Sequence, residues 1–150
     1  MTNMDRLNAN ILQELQSNGR ISNADLADKI GLSASACLRR VQELERTGII
    51  KGYRAILDSA ALGVGFTAYV SVGLSDHTSK SQLAFEKAIA KSGQVRECHN
   101  ITGSVEYLLR IETKDLAAYK LFHRDILGQL PQVNSIETFV VMDSPKDERA

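Results

Sequence analysis

The chain has 150 residues, with 18 Lys and Arg against 18 Asp and Glu, a formal net charge of zero, two cysteines and no tryptophan. That length suits one ordinary domain or two small ones; the equal totals are uninformative, but the distribution, +2 over residues 1–57 and −2 over 58–150, is a mild bias and not a polybasic tail. Cys37 and Cys98 stand 61 residues apart with no C-x-x-C spacing, so neither a disulfide framework nor a metal centre is expected.

The N-terminal M-T-N-M-D-R-L-N has no apolar run of the kind a signal peptide needs. No stretch approaches the length of a membrane-spanning helix. A cytoplasmic location away from any membrane is expected. In M-D-R-L-N-A-N-I-L-Q-E-L, the residues Met4, Leu7, Ile11, Leu12 and Leu15 recur at helical spacing, and Asn18-Gly19 stops the helix. Ser22-Asn-Ala-Asp25 then has the form of a capping box with Asp in place of Glu. The short second helix places Leu26, Ala27 and Ile30 on one face and ends at Gly31. A third helix starts near Ser33, with Cys37, Leu38, Val41 and Leu44 as its apolar positions and Gly48 closing it. The following I-I-K-G-Y-R-A-I-L-D is rich in β-formers and is expected to be extended.

From Phe66 the period changes. Phe66, Ala68, Val70, Val72 and Leu74 alternate with Thr67, Tyr69, Ser71 and Gly73, as in a half-buried strand. Residues 80–92 return to a helical pattern through Leu83, Phe85, Ala88 and Ile89. Two strands follow, Q-V-R-E-C-H-N-I-T and V-E-Y-L-L-R-I-E-T, joined by a turn at Gly103-Ser104. A helix over 115–129 and a final strand S-I-E-T-F-V-V-M after Pro131 complete the order βαββαβ, the ferredoxin-like motif. The fold class is therefore α+β. Residues 1–51 are expected to form a helical domain, 52–65 an extended connector, and 66–150 a ferredoxin-like domain.

Helix, glycine turn and serine-started helix make a helix-turn-helix unit, whose second helix enters the major groove of double-stranded DNA. Its outward side carries Ser35, Arg39 and Gln42, with Arg40 beside them, and small residues at 33–36 let the backbone approach a duplex. Arginine pairs with guanine O6/N7 or with phosphate. Ser33 and Ser35 are suited to phosphate at a helix N-terminus. Residues 33–54 hold five basic and two acidic side chains, a local positive bias on a neutral chain. Ser33, Ser35, Arg39 and Arg40 are thus the candidate DNA contacts.

In the second half, Thr102, Gly103 and Glu106 group a glycine turn with a hydroxyl and an acidic side chain. A glycine turn exposes backbone N–H groups to a carboxylate, and an acidic side chain suits an ammonium. Glu106 equally fits an exposed strand carboxylate, and Tyr107 and Phe139 equally fit core or interface aromatics. His77 lies in a polar loop and is expected to be solvated. His123 and Asp125, two apart on a helix, do not share a face, and neither do Cys98 and His99 on a strand. No nucleophile–base pair, phosphate loop or metal cluster points to an enzyme.

The ordered stretches I-L-Q-E-L-Q-S-N-G-R-I-S-N-A-D-L-A, I-G-L-S-A-S-A-C-L-R-R-V-Q-E-L-E-R-T-G-I-I-K-G-Y-R-A, A-L-G-V-G-F-T-A-Y-V, T-G-S-V-E-Y-L-L-R-I and T-F-V-V-M together resemble the Lrp/AsnC family of prokaryotic transcription factors. The resemblance covers nearly the whole chain. It implies a winged helix-turn-helix domain followed by a ligand-sensing domain, with assembly into homodimers and often octamers, and no cofactor beyond an amino-acid effector held between sensor domains. By that resemblance Gly52–Asp58 is a hinge strand pairing with its dimer mate. It also places the effector at the 102–107 turn, with His99, Thr138 and Phe139 as neighbours. Three positions depart from the family pattern. Asn8 stands where an acidic residue is common, Ala34 where proline is common, and Gly103-Ser-Val-Glu106-Tyr107 where Gly-x-x-Asp-Tyr is common. Glu106, one methylene longer than Asp, bears on effector choice. A constitutive architectural DNA-binding protein that has lost its effector is the alternative.

Overall fold

The computed structural model describes residues 4–148. Residues 1–3 and 149–150, at the outer ends of the first and last expected domains, lie outside the described residues. The chain divides into two compact units between Ile56 and Leu57.

The first unit holds helices α1 (Arg6–Ser17), α2 (Asn23–Ile30) and α3 (Ala34–Arg46). Each begins at a side-chain cap that satisfies an otherwise orphaned N–H. Asp5 accepts from the Asn8 N–H, Ser22 from Asp25 and Ser33 from Ala36. Gly31, at φ 78°, takes the left-handed conformation that ends α2, and its N–H returns to the Ala27 carbonyl. Ile11, Leu26, Ala27, Cys37 and Leu44 form the buried centre, and Leu12, Leu15, Ile21, Val41 and Ile50 pack around it. Fully burying one such large aliphatic side chain contributes about 1.5–3 kcal/mol. Met4 and Leu38, both on the apolar stripes read from the sequence, are exposed. After Gly48, residues 51–58 form no strand ladder within the chain, although the sequence favours β structure there. A strand needs a hydrogen-bonded neighbour, and the described chain supplies none to this segment.

The second unit contains β1 (Phe66–Leu74), α4 (Ser79–Ile89), β2 (Val95–Asn100), β3 (Tyr107–Thr113), α5 (Leu116–Asp125) and β4 (Val133–Val140). The strands form one sheet in the order β2-β3-β1-β4, with every neighbouring pair antiparallel. Alternation sends Ala68, Val70, Val72, Tyr107, Leu109 and Ile111 to one face, where Phe85 and Ile89 of α4 and Tyr119 and Phe122 of α5 cover them. The expected helix over 115–129 stops at Asp125 and continues as a 3-10 turn over Leu127–Gln129. Leu83, expected on the core side of α4, is 64% exposed; the shorter helix buries only Phe85 and Ile89.

The other face carries Thr67, Tyr69 and Ser71 of β1 opposite Glu112, Arg110 and Leu108 of β3, with no helix over it among the described elements. Arg110 Nη1 donates to the Tyr69 hydroxyl at 3.0 Å, and its guanidinium carbon stands 5.6 Å from the ring centroid.

Candidate nucleic-acid interface and ligand site

The N-terminus of α3 is built for exposure. Ser33 caps it, accepting the Ala36 N–H at 3.2 Å, and its hydroxyl stands 3.4 Å from that of Ser35. Asn23 Nδ2 donates to the Ala34 carbonyl at 2.8 Å, tying the start of α2 to the start of α3. Ser33, Ala34 and Ser35 are exposed, so small side chains leave the first turn and its N–H groups accessible. Cys37 and Leu44 turn inward, and burial pushes the Cys37 thiol up. This orientation leaves Arg39 exposed, with no hydrogen bond or ion pair among the described residues.

Arg40 differs from its neighbour. Its Nη1 donates to Asp5 Oδ2 at 2.8 Å and to Asn8 Oδ1 at 3.0 Å, both at the start of α1. Of the two candidate DNA contacts, Arg39 is exposed on the outward side, while Arg40, beside it, is engaged with the start of α1. Adjacent residues on a helix are about 100° apart, so when one points away from the domain the other lies along its side. The Asn8 N–H and the Arg40 guanidinium hold the Asp5 carboxyl below its usual value. Further along, Arg46 makes two contacts with Glu43, at 2.6 and 2.8 Å. Tyr53 donates to Glu45 at 2.9 Å, fastening the chain beyond α3 back to that helix.

In the second unit, the β2–β3 connection closes through the Ile101 N–H on the Glu106 carbonyl at 2.9 Å, and Asn100 Nδ2 reaches the same carbonyl at 3.1 Å. Thr102 and Gly103 are exposed at the tip, with Gly103 at φ 129°. The Glu106 side chain, only 11% exposed, turns inward. Its Oε2 accepts the Leu74 N–H at 2.6 Å, and its Oε1 lies 3.0 Å from His77 Nδ1. Glu106 is therefore not the exposed strand carboxylate, whereas His77 is solvent-exposed, at 84%, as its polar loop implies, while one ring nitrogen reaches Glu106. The loop after β1 brings His77 to the carboxylate from 29 residues away, a contact with no local signature in the sequence.

The other candidate ligand residues fall on both faces of the sheet. Tyr107 is buried against Phe85, with ring centroids 4.6 Å apart, and donates to Glu86 Oε1 of α4 at 2.6 Å. Burial and that carboxylate push its hydroxyl pKa well above the usual tyrosine value. Thr138 shares a hydrogen bond with the Tyr119 hydroxyl of α5 and so lies on the helix-covered side. Phe139 stands opposite Tyr69 on the uncovered side. His99, paired in register with Leu108, also belongs to the uncovered side, with its Nε2 3.1 Å from Glu97 Oε2. Alternation along a strand separates Thr138 from Phe139 and Tyr107 from His99. Within one chain, Thr102, Gly103 and Glu106 share the turn, and His77 joins them.

Two family models match the chain: Winged helix-turn-helix DNA-binding over residues 4–51 and Lrp/AsnC ligand binding domain over residues 67–150. The leucine-responsive regulatory proteins of Klebsiella pneumoniae and Escherichia coli (strain K12) are each 39% identical over 143 residues, covering 95% of this chain and 87% of theirs. Among solved structures, a Neisseria meningitidis transcriptional regulator in complex with L-Met superposes with a TM-score of 0.92 at 31% identity, covering 96% of this chain and 93% of that one. An AsnC family transcriptional regulator from Agrobacterium tumefaciens gives a TM-score of 0.91 at 32% identity, covering 96% and 94%.

Proposed function

Because the chain belongs to the Lrp/AsnC family of DNA-binding transcriptional regulators, we propose that α3 is its DNA-contacting helix and that the β2–β3 turn receives an amino-acid effector. The observation carrying the first part is the serine-capped, small-residue first turn of α3, followed by an outward Arg39. Ser33 and Ser35 meet phosphate beside the helix N-terminus, and Arg39 meets a base edge or a phosphate. Two copies present two such helices to successive half-sites, so a homodimer, or an octamer built from dimers, binds a palindromic or repeated sequence. The protein works in the cytoplasm, where its DNA lies. No helix among the described residues is long and apolar enough to cross a membrane.

The effector reading rests on Thr102, Gly103 and Glu106 at one turn. Leucine and methionine are the first amino acids to test, since the names of relatives carry them. A specific observation favours the second reading, a constitutive architectural DNA-binding protein. The Glu106 carboxylate already accepts the Leu74 N–H and lies against His77, so an incoming ammonium meets an engaged group. A thermal-shift screen of all amino acids followed by calorimetry separates the two. A specific binder whose affinity falls in Glu106→Ala supports sensing; no binder with intact assembly supports the architectural role. For the DNA reading, Arg39→Ala in the full chain is expected to weaken binding to a promoter duplex and to flatten its salt dependence. Unchanged binding by a folded variant overturns it.

A further inference from the structure

We propose that Arg40 is a positioning residue, which docks the start of α1 on α3 through Asp5 and Asn8 and so sets the presentation of Arg39 and Ser35 to DNA. The inference rests on α3 being the DNA-contacting helix. The two arginines are adjacent yet differ in environment: Arg39 is exposed, whereas the Arg40 side chain is 31% exposed and its partner Asp5 34%.

Asp5 has two simultaneous tasks. Its Oδ1 accepts the Asn8 N–H at 2.8 Å and caps α1, while its Oδ2 accepts Arg40 Nη1 at 2.8 Å. Asn8, at 6% exposure, supplies a second acceptor to the same nitrogen at 3.0 Å. One guanidinium nitrogen thus bridges a cap carboxylate and a buried amide. Isolated surface ion pairs contribute little, but this pair is joined to a helix cap and a buried amide, and its two ends lie 35 residues apart in the chain. Beneath it, α1 and α3 share the apolar cluster of Ile11, Cys37 and Leu44, and the Arg40 hydrogen bonds add a directional constraint to that packing. A lysine at position 40 would keep the charge but replace the planar Nη1 group that reaches both acceptors with a tetrahedral ammonium on a different stem.

The sign of one substitution separates docking from simple charge. Asp5 is an anion on a domain that approaches phosphates, so by charge alone its removal tightens DNA binding. By docking, its removal loosens the recognition helix and weakens binding. Asn is also a good helix cap, so Asp5→Asn preserves the α1 cap while removing the charge. The experiment measures anisotropy of a labelled duplex, selected for binding to the wild-type full chain, across a salt series. Asp5→Asn is expected to bind severalfold more weakly while staying folded, its thermal midpoint lowered only by the loss of the Arg40 ion pair. Arg40→Ala is expected to bind more weakly with the wild-type salt slope, and Arg40→Lys to restore only part of the loss. The double variant should bind no more weakly than Arg40→Ala alone. Arg39→Ala, by contrast, should reduce the slope by about 0.9 for one lost phosphate contact.

Equal or tighter binding by Asp5→Asn overturns the docking role. So does a full unit of slope lost in Arg40→Ala. In either case an impaired Arg39→Ala leaves α3 as the DNA helix, whereas an unimpaired one removes that reading as well. Should Arg40→Ala fail to fold, Asp5→Asn and Arg40→Lys decide the matter by the same criteria.

Discussion

Glu106 and Ser33 each have a structural hydrogen bond beside a proposed contact role, and substitutions can separate the two. The Glu106 carboxylate accepts a strand-end N–H in a part-buried setting. Glu106→Ala leaves that donor without its partner and is expected to cost about 1–3 kcal/mol of stability in denaturant unfolding. Glu106→Gln keeps an acceptor oxygen at the same reach and should cost clearly less. An equal loss in both variants would show that charge, not the hydrogen bond, matters there. Ser33 is the α3 cap as well as a candidate DNA contact. Ser33→Ala is expected to lose about 0.5–2 kcal/mol of stability. Ser33→Asp keeps the cap and stability, yet should weaken DNA binding by placing an anion beside phosphate. Wild-type DNA affinity in Ser33→Asp would remove this residue from the interface. Asp5 adds a pH dependence. Its folded pKa is depressed, so its contribution is complete above the ordinary value of 3.8 and disappears as pH falls below that through the folded value. Acid titration of the thermal midpoint should therefore show Asp5→Asn losing less than wild type below about pH 4.

At the scale of elements, glycines mark where backbone conformation or space allows nothing larger. Gly31 is left-handed with open space around it, so Gly31→Ala pays only the conformational cost, about 1–2 kcal/mol. At Gly65 a Cβ would overlap the Lys114 carbonyl oxygen. Gly65→Ala must therefore shift backbone next to the β1–β3 ladder and is expected to destabilise by about 1–3 kcal/mol. Chemical denaturation of both variants checks this, and a neutral Gly65→Ala would mean the ladder end yields freely. The helix-turn-helix was legible because its signals are local: a 3.6-residue apolar stripe, serines three residues before the N–H they cap, and a glycine at the turn. The βαββαβ order was legible from the change to a two-residue period at Phe66. Arg40 was not, because its partners lie more than thirty residues away on another helix and periodicity reports only which side of its own helix a residue occupies. Thr138 and Phe139 show the opposite case. Their separation by the sheet followed from adjacency on a strand, the same rule that separates Cys98 from His99, while the family likeness placed them together. The end of α5 at Asp125 carried no glycine or proline before Gly128, so the helical pattern read on past it.

For the molecule as a whole, zero net charge leaves electrostatic attraction to DNA to a local surface. Five basic against two acidic residues over 33–54 give a single copy little long-range attraction. Two linked copies convert the second contact into an intramolecular event, which strengthens binding by about 10²–10⁴ without any new contact. The chain also exposes apolar surface suited to self-association. Ile56 is 66% exposed and Leu57 60%, in a segment with no strand partner of its own, and Phe139 is half exposed on a sheet face that no described helix covers. Exposed apolar residues grouped along one unpaired segment favour contact with another chain over solvent. The full chain is therefore expected to sediment as a dimer or larger assembly at micromolar concentration, with a thermal midpoint that rises with concentration. Its DNA footprint should cover half-sites about one helical turn, or a multiple of it, apart. Ile56→Asp, distant in sequence from the α3 contacts, should shift sedimentation toward the monomer and lower DNA affinity in parallel, with little change in the helical content of the chain. A monomeric wild type that binds one half-site as tightly as two would break the link between assembly and recognition, and α3 alone would then have to supply the whole affinity.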